Sequence, residues 1–197
     1  MKKYSIQIAC ILVIGFTNIL SSSNSKSENR TLMNPSYGTH MAPLLTTVMH
    51  SEGPVLEMGC GDYSTPLLHA VCSATKRLLV TAETDLNWMN LFEDLQTPWH
   101  HFIHVPINSK HTDAWDLVGN DNEWGVVFID HAPTERRVID IIRLRARTKI
   151  FVAHDTNKSC YNYEPVLSSF KYRYVYKRYE RQTTIVSDTI DVATFFE

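Results

Sequence analysis

The sequence has little net charge, few cysteines and no long apolar run. Each of these features excludes or disfavours a class of protein or a kind of site. The formal net charge is −2 over 197 residues, which gives no reason to expect nucleic acid or an anionic membrane surface as a partner. Four cysteines are present, and none has the C-x-x-C spacing of a zinc site. We therefore expect no zinc site and at most one disulfide.

The longest apolar segment lies at the start of the chain and is too short for a comfortable membrane span. Lys2 and Lys3 precede a mostly apolar run over residues 6–20, and three serines follow over residues 21–23. This layout predicts a secretory signal over residues 1–23, with an uncleaved signal anchor as the alternative. The protein is accordingly expected to be secreted or lumenal, or else attached to a membrane through this segment alone.

The remaining chain has the composition of one globular domain. Hydrophobic residues make up 44% of the sequence and charged residues 20%, which allows a core large enough to be stable alone. We predict a flexible polar linker over residues 24–35 and a single domain over residues 36–197.

A short glycine-containing stretch is the feature around which this domain is interpreted. Val55 to Met58 is predicted as a buried strand, Gly59-Cys60-Gly61 as a turn (the glycine turn), and a helix follows. Glycines let the backbone approach a ligand closely, and the helix directs its positive end to the same place. A dinucleotide fingerprint would need a third glycine where this chain has Ser64, and no Gly-Lys-Ser/Thr phosphate loop is present.

An acid lies two residues before the first glycine, and a second acid ends the next predicted strand. The pattern E-x-G-x-G after a strand, at Glu57, Gly59 and Gly61, resembles the first motif of the class I S-adenosylmethionine-dependent methyltransferases. The resemblance implies that these residues hold the amino acid end of the cofactor. Glu83 can accept hydrogen bonds from both ribose hydroxyls at the end of the second strand, with Asp85 as the alternative.

Buried strands alternate with helices through most of the domain, and this alternation predicts a parallel sheet. Two β-rich segments without an intervening helix, residues 170–176 and 182–187, predict a closing hairpin. The predicted fold is a three-layer, Rossmann-like α/β domain with a seven-stranded, mostly parallel sheet and a C-terminal antiparallel hairpin, similar to the class I methyltransferases.

Two helices raise specific expectations. A helix over residues 36–50 leads into the first strand, and its Tyr37 and His40 either face the ligand or are ordinary surface and packing residues. The helix over residues 134–147 carries five arginines, which we expect on its outer, solvated face.

Polar residues end two strongly apolar strands, at Asp130-His131 and at His154-Asp155. Ligands of parallel sheets collect beyond the carboxyl ends of the strands, so Asp130 is also a candidate for the cofactor site. These strand ends look like those of the catechol-type, magnesium-dependent O-methyltransferases. That resemblance implies Asp130 and Asp155 as ligands of Mg²⁺, although Thr156 stands where the family has asparagine.

Without a metal, the histidines offer another way to activate an acceptor. His131 or His154 could act as the general base, because histidine titrates near neutral pH, and Asp155 is the third candidate for a catalytic role. Either histidine could equally be structural, bonded to a neighbouring strand end.

The function predicted from the resemblance is a methyltransferase that uses S-adenosylmethionine, with Mg²⁺ as a candidate second cofactor. The methyl group would go to an oxygen or nitrogen of a small molecule, glycan or protein. The first alternative is a catalytically degenerate domain of this fold that binds or interacts without turnover. The second is a Rossmann-like oxidoreductase, which the missing third glycine disfavours.

Overall fold

Seven strands form one mixed sheet in the computed structural model, which describes residues 35–108 and 111–197. The strands are β1 (Val55–Met58), β2 (Leu79–Glu83), β3 (His100–His104), β4 (Trp124–Ile129), β5 (Thr148–His154), β6 (Tyr172–Tyr176) and β7 (Thr183–Ser187). Their spatial order is β3-β2-β1-β4-β5-β7-β6. Strands β1 to β5 are parallel to one another, and β7 pairs antiparallel with both β5 and β6. The predicted fold class and the closing hairpin are confirmed.

The helices are shorter than their sequence patterns predict because several of them end in 3₁₀ turns. The α-helices are α1 (Met41–Met49), α2 (Ser64–Thr75), α3 (Leu86–Met89), α4 (Arg136–Leu144) and α5 (Glu164–Leu167). A 3₁₀ turn, Pro35–Gly38, precedes α1, and two others extend α3 and α4 as Asn90–Leu95 and Arg145–Arg147. The predicted signal, and all of the predicted linker except residue 35, lie outside the described residues.

Both faces of the sheet are covered, which explains why its central strands are apolar without alternation. On one face, Val55 packs with Leu44 of α1 and Leu68 of α2. On the other face, Leu56 packs with Ile141 of α4 and with Trp115. This three-layer arrangement leaves the carboxyl ends of β1, β2, β4 and β5 together at one edge. None of the described helices is long and apolar enough to cross a membrane.

The prediction that the arginines of α4 lie on a solvated face is wrong for two of them. Arg136 and Arg137 are each only 6% exposed. Arg136 pairs with Asp140 at 2.9 Å, and Arg137 pairs with Asp130 at 3.0 Å. Acids on α4 and at the end of β4 therefore draw these cations into the protein, which a helical periodicity alone cannot indicate.

Candidate cofactor and acceptor site

The glycine turn follows β1 at the carboxyl edge of the sheet and touches the backbone at the end of β4. Gly59 has a φ of +92°, and a Cβ there would lie 2.8 Å from the Cα of His131. At Gly61 a Cβ would meet nothing closer than the Oγ of Ser64 at 3.6 Å. The first glycine is thus required by the fold itself, whereas the second leaves space beside the turn.

Glu57 lies beneath this turn with no exposed surface. Its carboxylate accepts hydrogen bonds from the hydroxyls of Thr65 at 3.0 Å and Thr81 at 2.7 Å. Thr65 in turn accepts a bond from the backbone N–H of Gly61 at 2.9 Å. Burial raises the pKa of Glu57 to about 7, against the lowering effect of the hydroxyl bonds from Ser64, Thr81 and Thr65. The acid therefore supports the turn from below, and its predicted contact with the cofactor stays a prediction.

Glu83 joins the end of β2 to the glycine turn. One carboxylate oxygen accepts from the N–H of Cys60 at 3.0 Å, and the other accepts from the N–H groups of Thr84 and Asp85 at 2.7 and 2.9 Å. The predicted ribose-binding acid is thereby fixed directly beside the turn. The alternative, Asp85, instead caps α3 by accepting from the N–H groups of Asn87 and Trp88.

A second polar group lies where β4 and β5 end. The Nδ1 of His154 is 3.1 Å from Oδ2 of Asp130, and its Nε2 is 3.0 Å from the hydroxyl of Thr39. Burial would raise the pKa of Asp130, but the hydrogen bond and charge of His154 and the charge of Arg137 lower it below its usual value. An ionised Asp130 only accepts, so Nδ1 of His154 donates to it, while Nε2 bonds to the hydroxyl of Thr39.

His40, just before α1, packs against this group. Its ring lies 4.9 Å from that of Phe128 and 4.6 Å from that of His154, measured between centroids. The residue is 3% exposed, and neither ring nitrogen has a hydrogen-bond partner among the residues that the structure describes. Burial, and then His154, lower the pKa of His40 to about 4. A neutral imidazole with two unbonded nitrogens is thus buried at the site.

Asp155 completes the group in a strained backbone conformation. Its φ is +58°, a left-handed value that costs energy for a residue other than glycine and is found often at functional sites. Oδ2 is 3.0 Å from Lys158 Nζ and 3.2 Å from Arg181 Nη1. Oδ1 is buried and has no hydrogen-bond partner in the described part of the chain. This oxygen of the predicted catalytic residue therefore accepts no hydrogen bond and lies 3.9 Å from Nε2 of His154.

His131, the other predicted base, lies apart from the group formed by Asp130, His154 and Asp155. Its side chain is fully buried, with Nε2 3.0 Å from Oδ2 of Asp140 and the ring 4.3 Å from that of Trp115. Burial lowers the pKa of His131 despite the neighbouring carboxylate of Asp140. The structure thus brings together three of the four strand-end candidates and places His131 under α4.

Comparisons with known proteins bear on the fold. No protein-family model and no curated protein matches this sequence. A solved structure from Klebsiella pneumoniae, designated an O-methyltransferase, superposes with a TM-score of 0.57 at 9% identity and covers 91% of this chain and 90% of its own. The human methyltransferase 10 domain containing protein superposes with a TM-score of 0.55 at 12% identity, covering 96% and 100%. This chain has the class I methyltransferase fold.

A third structure with this methyltransferase fold contains a cofactor. It is a Thermus thermophilus 16S rRNA methyltransferase in complex with AdoMet and guanosine, which superposes with a TM-score of 0.51 at 16% identity and covers 82% of this chain and 44% of its own. In our structure, the candidates for contact with a cofactor are Gly61, beside which there is space for an added carbon atom, and the Glu83 carboxylate, which bonds to the same turn. An added methyl group at Gly61 would occupy part of that space.

The donor set fits Mg²⁺ poorly. Arg137 already pairs with Asp130, and Lys158 and Arg181 pair with Asp155. The amide of Asn157 bonds instead to the backbone of Glu180 and Gln182. Since Mg²⁺ prefers carboxylates, amides and water in an octahedral shell, these competing cations and the missing amide leave the predicted magnesium site without support.

Several residues of this site carry no signal in the sequence. Thr39 reaches His154, Arg137 reaches Asp130, and Arg181 reaches Asp155. Arg137 also donates to the backbone oxygens of Asp130 and His131 at 2.8 and 2.7 Å. The only available clue was that these polar residues flank predicted strands and helices, and that clue does not identify their partners.

Proposed function

We propose that this protein is an S-adenosylmethionine-dependent methyltransferase that modifies an oxygen or nitrogen of its acceptor. The observation that carries the proposal is the bond between the Glu83 carboxylate and the N–H of Cys60. This bond holds Glu83, the acid that we propose binds the ribose, against the glycine turn, within a methyltransferase fold. The secretory or extracellular location belongs to the same proposal and is supported only by the sequence pattern of residues 1–23.

Residues at the ends of β4 and β5 can remove the proton that the acceptor loses during methyl transfer. The cofactor supplies an electrophilic methyl group on a positively charged sulfur. When an acceptor oxygen or nitrogen displaces the sulfur from that carbon, leaving a neutral thioether, the acceptor must also lose a proton, and a nearby base has to take it. Oδ1 of Asp155 is buried and accepts no hydrogen bond from the described residues, and it lies 3.9 Å from Nε2 of His154, which bonds to the hydroxyl of Thr39. We assign Asp155 and His154 to proton removal, with Asp130 fixing the tautomer of His154.

The acceptor is proposed to be a small molecule, glycan or protein, with no nucleic acid involved. The formal charge of −2 supports this choice, because nucleic-acid enzymes usually present excess positive charge. Arg181, Lys158 and Arg137 beside Asp155 and Asp130 are paired with those acids rather than free to bind phosphate.

Transfer of a labelled methyl group from S-adenosylmethionine tests the proposal. Panels of phenols, amines, carboxylates, glycans and secreted proteins serve as acceptors. Asp155→Asn and His154→Gln should each lower the transfer rate at least about tenfold, within the range of general base catalysis, and leave cofactor affinity unchanged. Unchanged rates in both variants would contradict the proton-removal roles.

A binding domain without turnover is the second candidate, and one observation favours it. Both oxygens of Glu83 and both nitrogens of His154 already have partners within the protein. Such self-satisfied polar groups can be purely structural. Cofactor binding without transfer to any member of the panel would support this alternative.

A further inference from the structure

Three residues that are distant in the sequence meet at the carboxyl edge of the sheet. His40 precedes α1, Asp130 follows β4, and His154 ends β5. One potential ligand atom from each of the three lies within 4.8 Å of the others. In addition, Oδ2 of Asp130 and Nδ1 of His154 are already 3.1 Å apart, and both become available to an ion once Nδ1 loses its proton. Arg137 pairs with the other oxygen of Asp130, Oδ1. Three donors of two chemical types therefore converge on one small volume.

The unbonded nitrogens of His40 are the second, independent observation. A buried polar group without a hydrogen bond destabilises the folded protein. His40 buries two such nitrogens, and the rings of Phe128 and His154 hold it in place. An apolar side chain would fill this position equally well without burying unbonded nitrogens. The imidazole therefore indicates a ligand that bonds to nitrogen.

We propose that His40, Asp130 and His154 bind one divalent transition-metal ion, of the kind represented by Zn²⁺ or Fe²⁺. Two imidazole nitrogens and one carboxylate are the donors that such ions prefer, whereas Mg²⁺ favours oxygen ligands. With metal–ligand bonds of about 2.0 to 2.2 Å, the donor atoms must lie roughly 3 to 3.5 Å apart. His40 therefore has to move slightly toward the other two donors.

This site differs from the magnesium site predicted from the sequence. It also departs from the expectation of no zinc site, which rested on cysteine spacing alone. It shares Asp130 but replaces Asp155 with two histidines, one of them from the segment before the first strand. The Asp130 side chain is 26% exposed, so the ion would keep positions open to water or to an added ligand. The site shares Asp130 and His154 with the proposed acceptor site. It does not depend on cofactor binding, because nothing in it involves the glycine turn or Glu83.

Cobalt binding to the untagged, full-length protein after chelator treatment tests the site. We expect one equivalent of Co²⁺ to bind with visible d–d absorption, and Zn²⁺ to displace it. His40→Ala should weaken Zn²⁺ binding at least about tenfold, as loss of a metal contact does. His101→Ala is the matched control, since His101 is exposed on the edge strand β3 and bonds to the backbone of Pro98, and it should bind as the wild type does.

A thermal measurement separates loss of binding from loss of folding. Zn²⁺ should raise the melting temperature of the wild type and of His101→Ala, because a ligand of the native state stabilises it, but not that of a folded His40→Ala. The proposal is overturned if the wild type binds no Co²⁺, or if His40→Ala and His101→Ala bind Zn²⁺ equally well. It is also overturned if excess Mg²⁺ displaces Co²⁺ and Asp155→Asn weakens binding while His40→Ala does not.

Discussion

A carboxyl group with no exposed surface lies beneath the glycine turn, and its ionisation links the stability of the domain to pH. Burial raises the pKa of Glu57 from 4.5 to about 7. Between these values the unfolded chain has lost the proton that the folded protein keeps. The folded state therefore binds more protons, and the free energy of unfolding falls as pH rises through this window.

Glu57→Gln should remove that pH dependence. The amide stays neutral, so the variant lacks the loss of stability that the wild type suffers between about pH 4.5 and 7. This loss amounts to at most about 3.5 kcal/mol, at about 1.4 kcal/mol for each unit of pKa shift. Urea unfolding at pH 5 and pH 8 measures it. Glu123→Gln, at an exposed position, should keep the wild-type slope; an unchanged slope in Glu57→Gln would refute the account of Glu57.

The two glycines of the turn should respond differently to the same substitution. Gly59→Ala forces a side chain into a left-handed backbone and against the backbone of His131, and it should lower the free energy of unfolding by about 1 to 3 kcal/mol or more. Gly61→Ala has room for its methyl group and should change stability by less than about 0.5 kcal/mol.

Titration with S-adenosylmethionine tests whether the cofactor occupies the space beside Gly61. Gly61→Ala should bind S-adenosylmethionine at least about tenfold more weakly, a loss of about 1.4 kcal/mol, because its methyl group occupies the proposed crevice. Wild-type affinity in a folded Gly61→Ala protein would mean that the cofactor does not lie against this turn.

At the level of elements, α4 and the end of β4 are held together by one side chain. Arg137 of α4 donates to the carbonyls of Asp130 and His131 and pairs with the Asp130 carboxylate. Its guanidinium therefore fixes the position of the loop that carries Asp130. Because the pair is largely buried, removing one partner leaves the other charge and two carbonyls uncompensated.

Arg137→Met should lower the free energy of unfolding by about 2 to 4 kcal/mol, near the range measured for broken buried pairs and reduced for the partial exposure of Asp130. Arg173→Met is the matched control, since Arg173 also pairs with an acid, Glu164, but at the surface. Its loss should cost at most about 1 kcal/mol. Equal costs in chemical denaturation would contradict the anchoring role of Arg137.

The burial of an element decides whether the sequence predicts it correctly. Strand β4 is buried on both faces, so it appears as an unbroken apolar run that ends in Asp130. For helix α4 the prediction was wrong, because the arginines indicated a face exposed to solvent. Arg136 and Arg137 are instead paired with acids, namely Asp116, Asp130 and Asp140. Periodicity reports the face of a helix, but it cannot report the partners of its charges.

For the whole molecule, the topology was predictable and the site only in part. The alternation of strands with helices, the glycine turn and the closing hairpin each have a local sequence signal. The meeting of His40, Thr39 and His154 does not, because it depends on how the segment before α1 lies across the ends of β4 and β5. The sequence therefore supplied Asp130, His154 and Asp155 as candidates but gave His40 only as one of two undecided positions.

Calorimetric titration of the protein with S-adenosylmethionine tests the central claim most directly. We predict one saturable site, no binding of NAD, and affinity at least about tenfold weaker in Glu83→Gln, which loses a charge-assisted contact with the ribose. Asp85→Asn, which keeps a helix-capping side chain, should bind as the wild type does. No detectable binding of S-adenosylmethionine, or equal affinity in the wild type and a folded Glu83→Gln variant, would contradict the claim.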